Sequence, residues 1–256
     1  MRLVRALALL LALTGPASAD NGDFSFDPRL GARLPEAAVL RDEQGRAVTL
    51  GSVTGGVPSV LALGYFHCPN LCGVVRDDVL SALERAGLQA ETDYRLLVLS
   101  IDPNETPADA AAAKEGALSR YPDPAADAGW RFLTGPAAGI EAIAGATGFR
   151  SRFDPAFKQF LHPAGVVVAN PSGVISTYLL GVGYAPGELR SAVLRAGQGG
   201  VADAISPVLL LCFHFDPTTG RYDFAIYRTL SVMAALTVLT LGGTLVLLHR
   251  RDRRRA

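Results

Sequence analysis

Apolar stretches of two kinds follow one another along the middle of this chain. Short continuous apolar runs are typical of β-strands that are covered on both faces. Longer stretches with apolar residues three or four positions apart predict amphipathic helices. The strands are predicted in "PSVLALGYF", "YRLLVLSI", "WRFLTG" and "AGVVVANPSGVISTYLLG", and the helices in "VVRDDVLSALERAGL", "TPADAAAAKEGAL", "AAGIEAIAGATG" and "APGELRSAVLRA". Strands that alternate with helices in this way predict an α/β fold.

Turn and capping residues mark where several of these elements begin and end. The polar group 42–45 predicts a hairpin turn, and the group 170–173 predicts a turn between the last two strands. Thr106 has the position of a helix N-cap, with Pro107 at the first helical position and Asp109 at the capping-box position. These signals agree with the α/β pattern.

Both ends of the chain have the pattern of an exported membrane protein. Residues 1–19 combine a basic beginning, an apolar core and small residues at their end, as in a cleaved secretory signal peptide. Residues 230–248 form an uncharged, largely apolar run that predicts a transmembrane helix at 228–249, and the basic tail 250–256 should stay in the cytoplasm. The sequence therefore predicts a single-pass protein of a bacterial inner membrane, anchored at its C-terminus. Residues 20–200 form the domain that faces the periplasm, and residues 201–227 form a juxtamembrane segment.

Charge and cysteine content argue against a nucleic-acid-binding protein and against a scaffold held together by disulfides. Acidic and basic residues are equal in number, 24 of each, but the arginines at the two ends leave the part between them net acidic. An acidic domain without a basic stripe argues against nucleic acid as a partner. The 3 cysteines are too few for a disulfide-based scaffold, and their odd number leaves a thiol over.

Two of the cysteines stand in "GYFHCPNLCGVV", where the first long strand gives way to a helix. We expect Cys68 in the loop and Cys72 in the first helical turn, so that both sulfurs lie near the positive end of the helix dipole. A thiolate in that position is both a nucleophile for disulfide exchange and a soft metal ligand. The three intervening residues allow either a reversible Cys68–Cys72 disulfide or a metal ion between the sulfurs. The pair alone leaves both possibilities open.

A histidine would complete a copper site. Copper accepts two thiolates and one imidazole, whereas a structural zinc site requires four ligands and no second close Cys/His pair is present. His67 is next to Cys68, but adjacent residues at the end of a strand point in opposite directions. His162 is expected in the loop before a late strand. It is a candidate copper ligand, and the alternative is the ordinary role of a surface or capping histidine.

Four sequence blocks together resemble a known family. The blocks "GYFHCPNLC", "SIDPNETP", "WRFLTG" and "LHPAGVVVANPSG" are similar, in content and order, to those of the Sco/SenC family of copper-binding, thioredoxin-like proteins. The resemblance implies a thioredoxin-like domain, with a central mixed sheet flanked by helices, that binds copper through Cys68, Cys72 and His162. It also implies a role in maturing the copper site of cytochrome c oxidase. The partners implied are the copper-site subunit of that oxidase and periplasmic copper donors or thiol reductants.

The chain departs from the family pattern in three respects. Leu161 stands where members often have an acidic residue, Gly73 stands where many have proline, and the anchor is C-terminal rather than N-terminal. The leading hypothesis is a membrane-tethered periplasmic copper chaperone. The alternatives are a thiol–disulfide oxidoreductase that uses Cys68 and Cys72, and a redox or copper sensor.

Two further pairs of residues have open roles. A strand at Cys212 and His214 would place both on one face, as a second soft-metal site or docking surface, or simply as part of a juxtamembrane hairpin with its turn at 216–220. Asp77 and Asp78 follow Cys72 by about one helical turn. They are either groups that orient the metal ligands or solvated charges of the helix.

Overall fold

The structure, a computed structural model, describes residues 24–67, 72–202, 213–216, 221–224 and 234–244, with Arg251 and Arg253. The strands are β1 Ser25–Phe26, β2 Val39–Arg41, β3 Ala47–Thr49, β4 Ser59–Gly64, β5 Arg95–Ser100, β6 Trp130–Leu133, β7 Phe149–Arg150, β8 Arg152–Asp154, β9 Gln159–Leu161, β10 Gly165–Ala169, β11 Ile175–Leu180, β12 Phe213–Asp216 and β13 Arg221–Phe224. The helices are α1 Leu50–Val53, α2 Cys72–Arg85, α3 Pro107–Arg120, α4 Ala126–Gly129, α5 Ala137–Thr147, α6 Pro186–Gly197 and α7, residues 234–244.

A mixed sheet of five strands, in the order β11-β10-β4-β5-β6, organises the domain. Strands β4, β5 and β6 are parallel to one another, and β10 is antiparallel to both of its neighbours, β4 and β11. The central strand β4 is the apolar run predicted from the sequence, and nearly all of it is buried. The predicted α/β fold with a central mixed sheet flanked by helices is confirmed.

Successive side chains of β4 enter two separate apolar cores, since they alternate between the faces of the sheet. Val60 and Ala62 pack with residues of α2, α3 and α6, whereas Leu61 and Leu63 pack with residues of α5 and of the β2–α1 region. Helix α2 buries all of the positions that its apolar period predicts, namely Val75, Val79, Leu80 and Leu83. This packing fixes the end of β4 and the body of α2 relative to each other.

The predicted turns and caps are present. The Thr106 hydroxyl accepts a hydrogen bond from the Asp109 N–H, and the Asp109 carboxylate accepts one from the Thr106 N–H at 2.7 Å, which completes the capping box of α3. Asp42 Oδ1 accepts from two backbone N–H groups within the β2–β3 turn. Asn170 Oδ1 does the same in the β10–β11 turn, where it accepts from Ser172 and Val174.

Two strand pairs were not predicted from the sequence. Strand β1 pairs with β7, and β8 forms a hairpin with β9 directly before His162. Each of these strands has only two or three residues. Such short segments contain too few positions for an alternating pattern to register, and Phe153 of β8 is 49% exposed.

The predicted segments at the two ends fall largely outside the described residues. The signal peptide at 1–19 and Cys212 lie there entirely. Strands β12 and β13 pair antiparallel, and β12 includes His214. Within the predicted anchor at 228–249 only α7 is described. No helix among the described residues has both the length and the apolar character needed to cross a membrane.

Candidate metal centre

The cysteine pair spans the transition from the central strand to helix α2. Strand β4 ends at Gly64, and α2 begins with Cys72 as its first residue, in agreement with the predicted first-turn position. Cys68 and the side chain of Cys72 lie outside the described part of the structure. The residues on either side of this pair are described.

Sheet register brings His162 to the same end of β4. Strand β10 runs antiparallel to β4, with Val166 opposite Ala62. The beginning of β10 therefore lies beside the end of β4, and His162 comes three residues before Gly165, the first residue of β10. The predicted location of His162, in the loop before a late strand, is confirmed.

His162 shares a depression with the residues that flank the cysteine loop. The ring centroids of His162 and Tyr65 are 5.9 Å apart, and the His162 ring also lies 5.9 Å from that of Phe149. The lining of this depression includes Tyr65 and Phe66 before the loop and Val75 and Arg76 after it, together with His162. The structure thus brings His162 next to both sides of the segment that carries the cysteines.

The surroundings of His162 favour a neutral imidazole. Its Nδ1 lies 3.0 Å from the carbonyl oxygen of Pro163. A carbonyl oxygen only accepts, so Nδ1 carries the proton and the lone pair of the neutral ring is on Nε2. Burial lowers the pKa of His162, and the bond to Pro163 partly opposes this effect. A neutral imidazole with one nitrogen held by a backbone carbonyl is the form in which histidine binds metals.

Glu105 holds the backbone immediately before Cys68, a role that the sequence did not reveal. The residue is only 8% exposed. Its carboxylate accepts hydrogen bonds from the N–H of Phe66 at 2.8 Å and of His67 at 2.7 Å, and from the hydroxyl of Ser100 at 2.5 Å. The "SIDPNETP" block contains Glu105, but a sequence motif does not say where a side chain points. The position of the cysteine loop thus depends on the turn between β5 and α3.

His67 faces a different group of residues. Its Nδ1 lies 3.2 Å from Glu105 Oε1, its Nε2 lies 3.5 Å from Asp109 Oδ1, and the side chain is 69% exposed. These contacts are with the β5–α3 turn and the start of α3, whereas His162 contacts Tyr65 and Phe149. The two histidines therefore have separate environments.

Asp77 and Asp78 connect α2 to other elements. Asp77 Oδ1 accepts a hydrogen bond from Arg120 of α3 at 2.8 Å. Asp78 Oδ2 accepts one from the N–H of Gly183, in the connection between β11 and α6, at 2.7 Å. Both carboxylates thus hold α2 in place, a role that differs from the two considered on the sequence.

The donor types fit copper better than a harder metal. Among the described side chains, no cluster of three or more His, Cys, Asp or Glu residues could hold a metal ion. His162 is therefore the described candidate ligand beside the loop that carries Cys68 and Cys72. Thiolate and imidazole donors suit copper, whereas calcium and magnesium require an oxygen-rich site.

Comparison with known proteins identifies the family. The SCO1/SenC family model matches residues 29–194, which is more than half of the chain. The chain belongs to the SCO1/SenC family. The resemblance inferred from the four sequence blocks is thereby confirmed. Among curated protein sequences, none matches the chain significantly.

Solved structures share the fold of this SCO1/SenC domain at low sequence identity. A protein of Aquifex aeolicus VF5 is 24% identical with a TM-score of 0.59, and the match covers 67% of this chain and 96% of that one. ScoI of Arabidopsis thaliana, crystallised with copper bound, is 17% identical with a TM-score of 0.52, and the match covers 67% and 99% of the two chains. BsSco, described as having a disulfide switch and as a member of the Sco family of cytochrome c oxidase assembly proteins, is 19% identical with a TM-score of 0.51, over 67% and 97%. The chain therefore has the thioredoxin-like Sco fold.

Proposed function

We propose that this chain is a copper chaperone that carries its cargo on Cys68, Cys72 and His162 and delivers it to the copper site of cytochrome c oxidase. Members of the family are copper-binding proteins involved in the assembly of that oxidase. The observation that carries the proposal is the position of His162. Its ring lies in one depression with the residues on both sides of the cysteine loop, and its lone pair is on Nε2.

The proposed ligands suit a cargo that must be released. Two thiolates and one imidazole favour a soft, monovalent copper ion. A site with only three ligands leaves room for a thiolate of the acceptor to enter before a donor thiolate leaves. Transfer then proceeds by ligand exchange, and Glu105 keeps the loop with Cys68 in position during the exchange.

The proposed location is the periplasmic face of a bacterial inner membrane. The signal-peptide pattern at 1–19, the apolar stretch at 228–249 and the basic tail at 250–256 support this placement. The anchor would keep the copper-binding domain near a membrane-bound oxidase. The oxidase subunit that holds the copper site is the proposed partner.

A titration with monovalent copper tests the proposal. The full-length protein, purified in detergent and reduced without oxygen, should bind one equivalent of copper tightly, and Cys68→Ser or Cys72→Ser should abolish this binding. Loss of a partner that only orients a metal ligand weakens metal affinity about 10–100-fold, so removing a ligand in His162→Ala should weaken it at least about 100-fold. His67→Ala serves as the matched control and should bind like the wild type. Tight binding that persists in both cysteine variants would place the site elsewhere.

A thiol–disulfide oxidoreductase is the second candidate. Helix α2 begins at Cys72, and the N-terminus of a helix stabilises a thiolate, which is the attacking species in disulfide exchange. In this case Cys68 would attack a substrate disulfide and Cys72 would resolve the mixed disulfide. The His162→Ala variant separates the two functions, because copper binding should collapse while the reduced protein still reduces a disulfide substrate.

A further inference from the structure

Arg76 places a positive charge in the wall of the depression that also contains His162. It lies one helical turn after Cys72. Side chains of a helix lean back toward its N-terminus, and Arg76 does so. Its Nη2 lies 4.0 Å from the position that a Cβ on Gly73 would occupy. The guanidinium therefore lies beside the first turn of α2, where the cysteine loop ends.

This guanidinium is incompletely satisfied within the described residues. Its Nε is buried and has no hydrogen-bond partner there. A buried charged donor without an acceptor is unfavourable for folding. Burial lowers the pKa of Arg76, the charge of Arg120 acts in the same direction, and Asp77 and Glu105 oppose it. An arginine remains charged even so.

The acidic groups nearest to Arg76 are already engaged by other donors. Asp77 forms an ion pair with Arg120 at 2.8 Å. The carboxylate of Glu105 accepts from two backbone N–H groups and from the Ser100 hydroxyl. Arg76 thus carries a positive charge that no acidic side chain among the described residues neutralises in an ion pair of its own.

The proposed copper centre would supply the missing negative charge. Two thiolates, a neutral imidazole and a monovalent copper ion sum to one negative charge. We propose that Arg76 is the counter-ion of this loaded centre and stabilises it relative to the metal-free protein. The inference rests on the proposed copper-binding function. It adds Arg76, which is neither a proposed copper ligand nor part of the four sequence blocks that resemble the family. Arg76 is accordingly a residue that acts on the centre through its charge.

The test compares copper affinity with the stability of the metal-free protein. Copper would be titrated into the full-length reduced protein in competition with a chelator of monovalent copper, for the wild type, Arg76→Met, Arg76→Lys and Arg120→Met. Arg76→Met should weaken copper binding about 10–100-fold, the range expected for partners of metal ligands. Arg76→Lys should recover most of the affinity. Arg120→Met, the same charge change on an exposed partner of Asp77, should stay within about twofold of the wild type.

A second measurement distinguishes a charge effect from damage to the fold. Removal of an incompletely paired buried charge should leave the melting temperature of the metal-free Arg76→Met protein unchanged or raise it. Unchanged copper affinity in Arg76→Met would overturn the inference, and so would equal losses of affinity in Arg76→Met and Arg120→Met. It would also be overturned if Arg76→Lys recovered no affinity, or if the melting temperature of metal-free Arg76→Met fell. Copper binding in the wild type with normal affinity in Arg76→Met would overturn this inference alone. A wild type that does not bind copper would overturn the proposed function as well.

Discussion

At the scale of single residues, the carboxylate of Glu105 holds the backbone directly before the cysteine loop. It accepts two backbone N–H groups from the residues directly before Cys68. An amide in its place could accept one of these bonds but would turn an NH₂ group toward the other donor. A buried donor without a partner costs about 1–3 kcal/mol.

We therefore expect Glu105→Gln to lower the free energy of unfolding by about 1–3 kcal/mol. Hydrogen exchange at the amides of Phe66 and His67 should become faster, because one of these two bonds is lost. Asp102→Asn is the matched control, since it removes a negative charge from the same turn and Asp102 Oδ1 accepts from Asn104 instead. Unchanged exchange at both amides would show that Glu105 does not hold the loop.

The charge of Asp109 gives a pH-dependent contribution to stability. Hydrogen bonds from the side chain and the backbone of Thr106 hold the pKa of Asp109 below its ordinary value of 3.8, with a small opposing effect of burial. Because the folded-state pKa is the lower one, the contribution is complete above the unfolded-state value and is lost as the pH falls through the folded-state value.

The Asp109→Asn variant should therefore be less stable than the wild type at neutral pH, and this difference should vanish in acid. The measurement is the free energy of unfolding of both proteins between pH 2 and pH 7. Asparagine retains an oxygen that can accept from Thr106, so the variant isolates the effect of the charge. A difference that stays constant over the whole range would contradict the assignment.

At the scale of elements, a buried ion pair joins the β2–β3 hairpin to α3. Lys114 Nζ of α3 donates to Glu43 Oε1 at 2.6 Å and to the carbonyl oxygen of Asp127 at 2.7 Å. Glu43 Oε2 accepts the N–H of Phe132 in β6 at 3.2 Å. Lys114 is 4% exposed and Glu43 is 7% exposed, so the pair is shielded from water.

Removing one member of this pair should be far more harmful than removing both. Lys114→Met leaves a buried carboxylate without its cation and should lower the free energy of unfolding by about 3–5 kcal/mol. Adding Glu43→Leu should restore a large part of this loss, since neither charge then remains. Chemical denaturation of the two single variants and the double variant measures the effect. Additive losses in the double variant would refute the coupling.

The elements also differ in how well the sequence predicts them. Long apolar runs and periodic stretches predicted all five strands of the sheet and the helices α2, α3, α5 and α6, because burial on a regular surface imposes a regular pattern. The β8–β9 hairpin escaped prediction. Its strands are short, and Phe153 packs against Phe160 of the same hairpin, with ring centroids 5.2 Å apart, rather than into the core.

At the scale of the whole molecule, the sequence predicted the fold class and the approximate position of the candidate ligands but not their supporting residues. Cys72 and His162 could be placed because each adjoins a predictable element. The roles of Glu105 and Arg76 could not be predicted, because the effect of a buried charge depends on neighbouring groups that only the fold brings together. Glu105, for example, contacts residues that precede it by 38 and 39 positions.

The register between β4 and β10 has a consequence for the reliability of metal handling in the cell. The proposed ligands come from segments on either side of this pairing, and neither segment alone contains both cysteines and His162. An unfolded or wrongly paired chain would therefore lack the complete binding site. Copper binding in turn would favour the correctly paired sheet by mass action. Only a correctly folded chain could therefore be loaded with copper at the proposed centre.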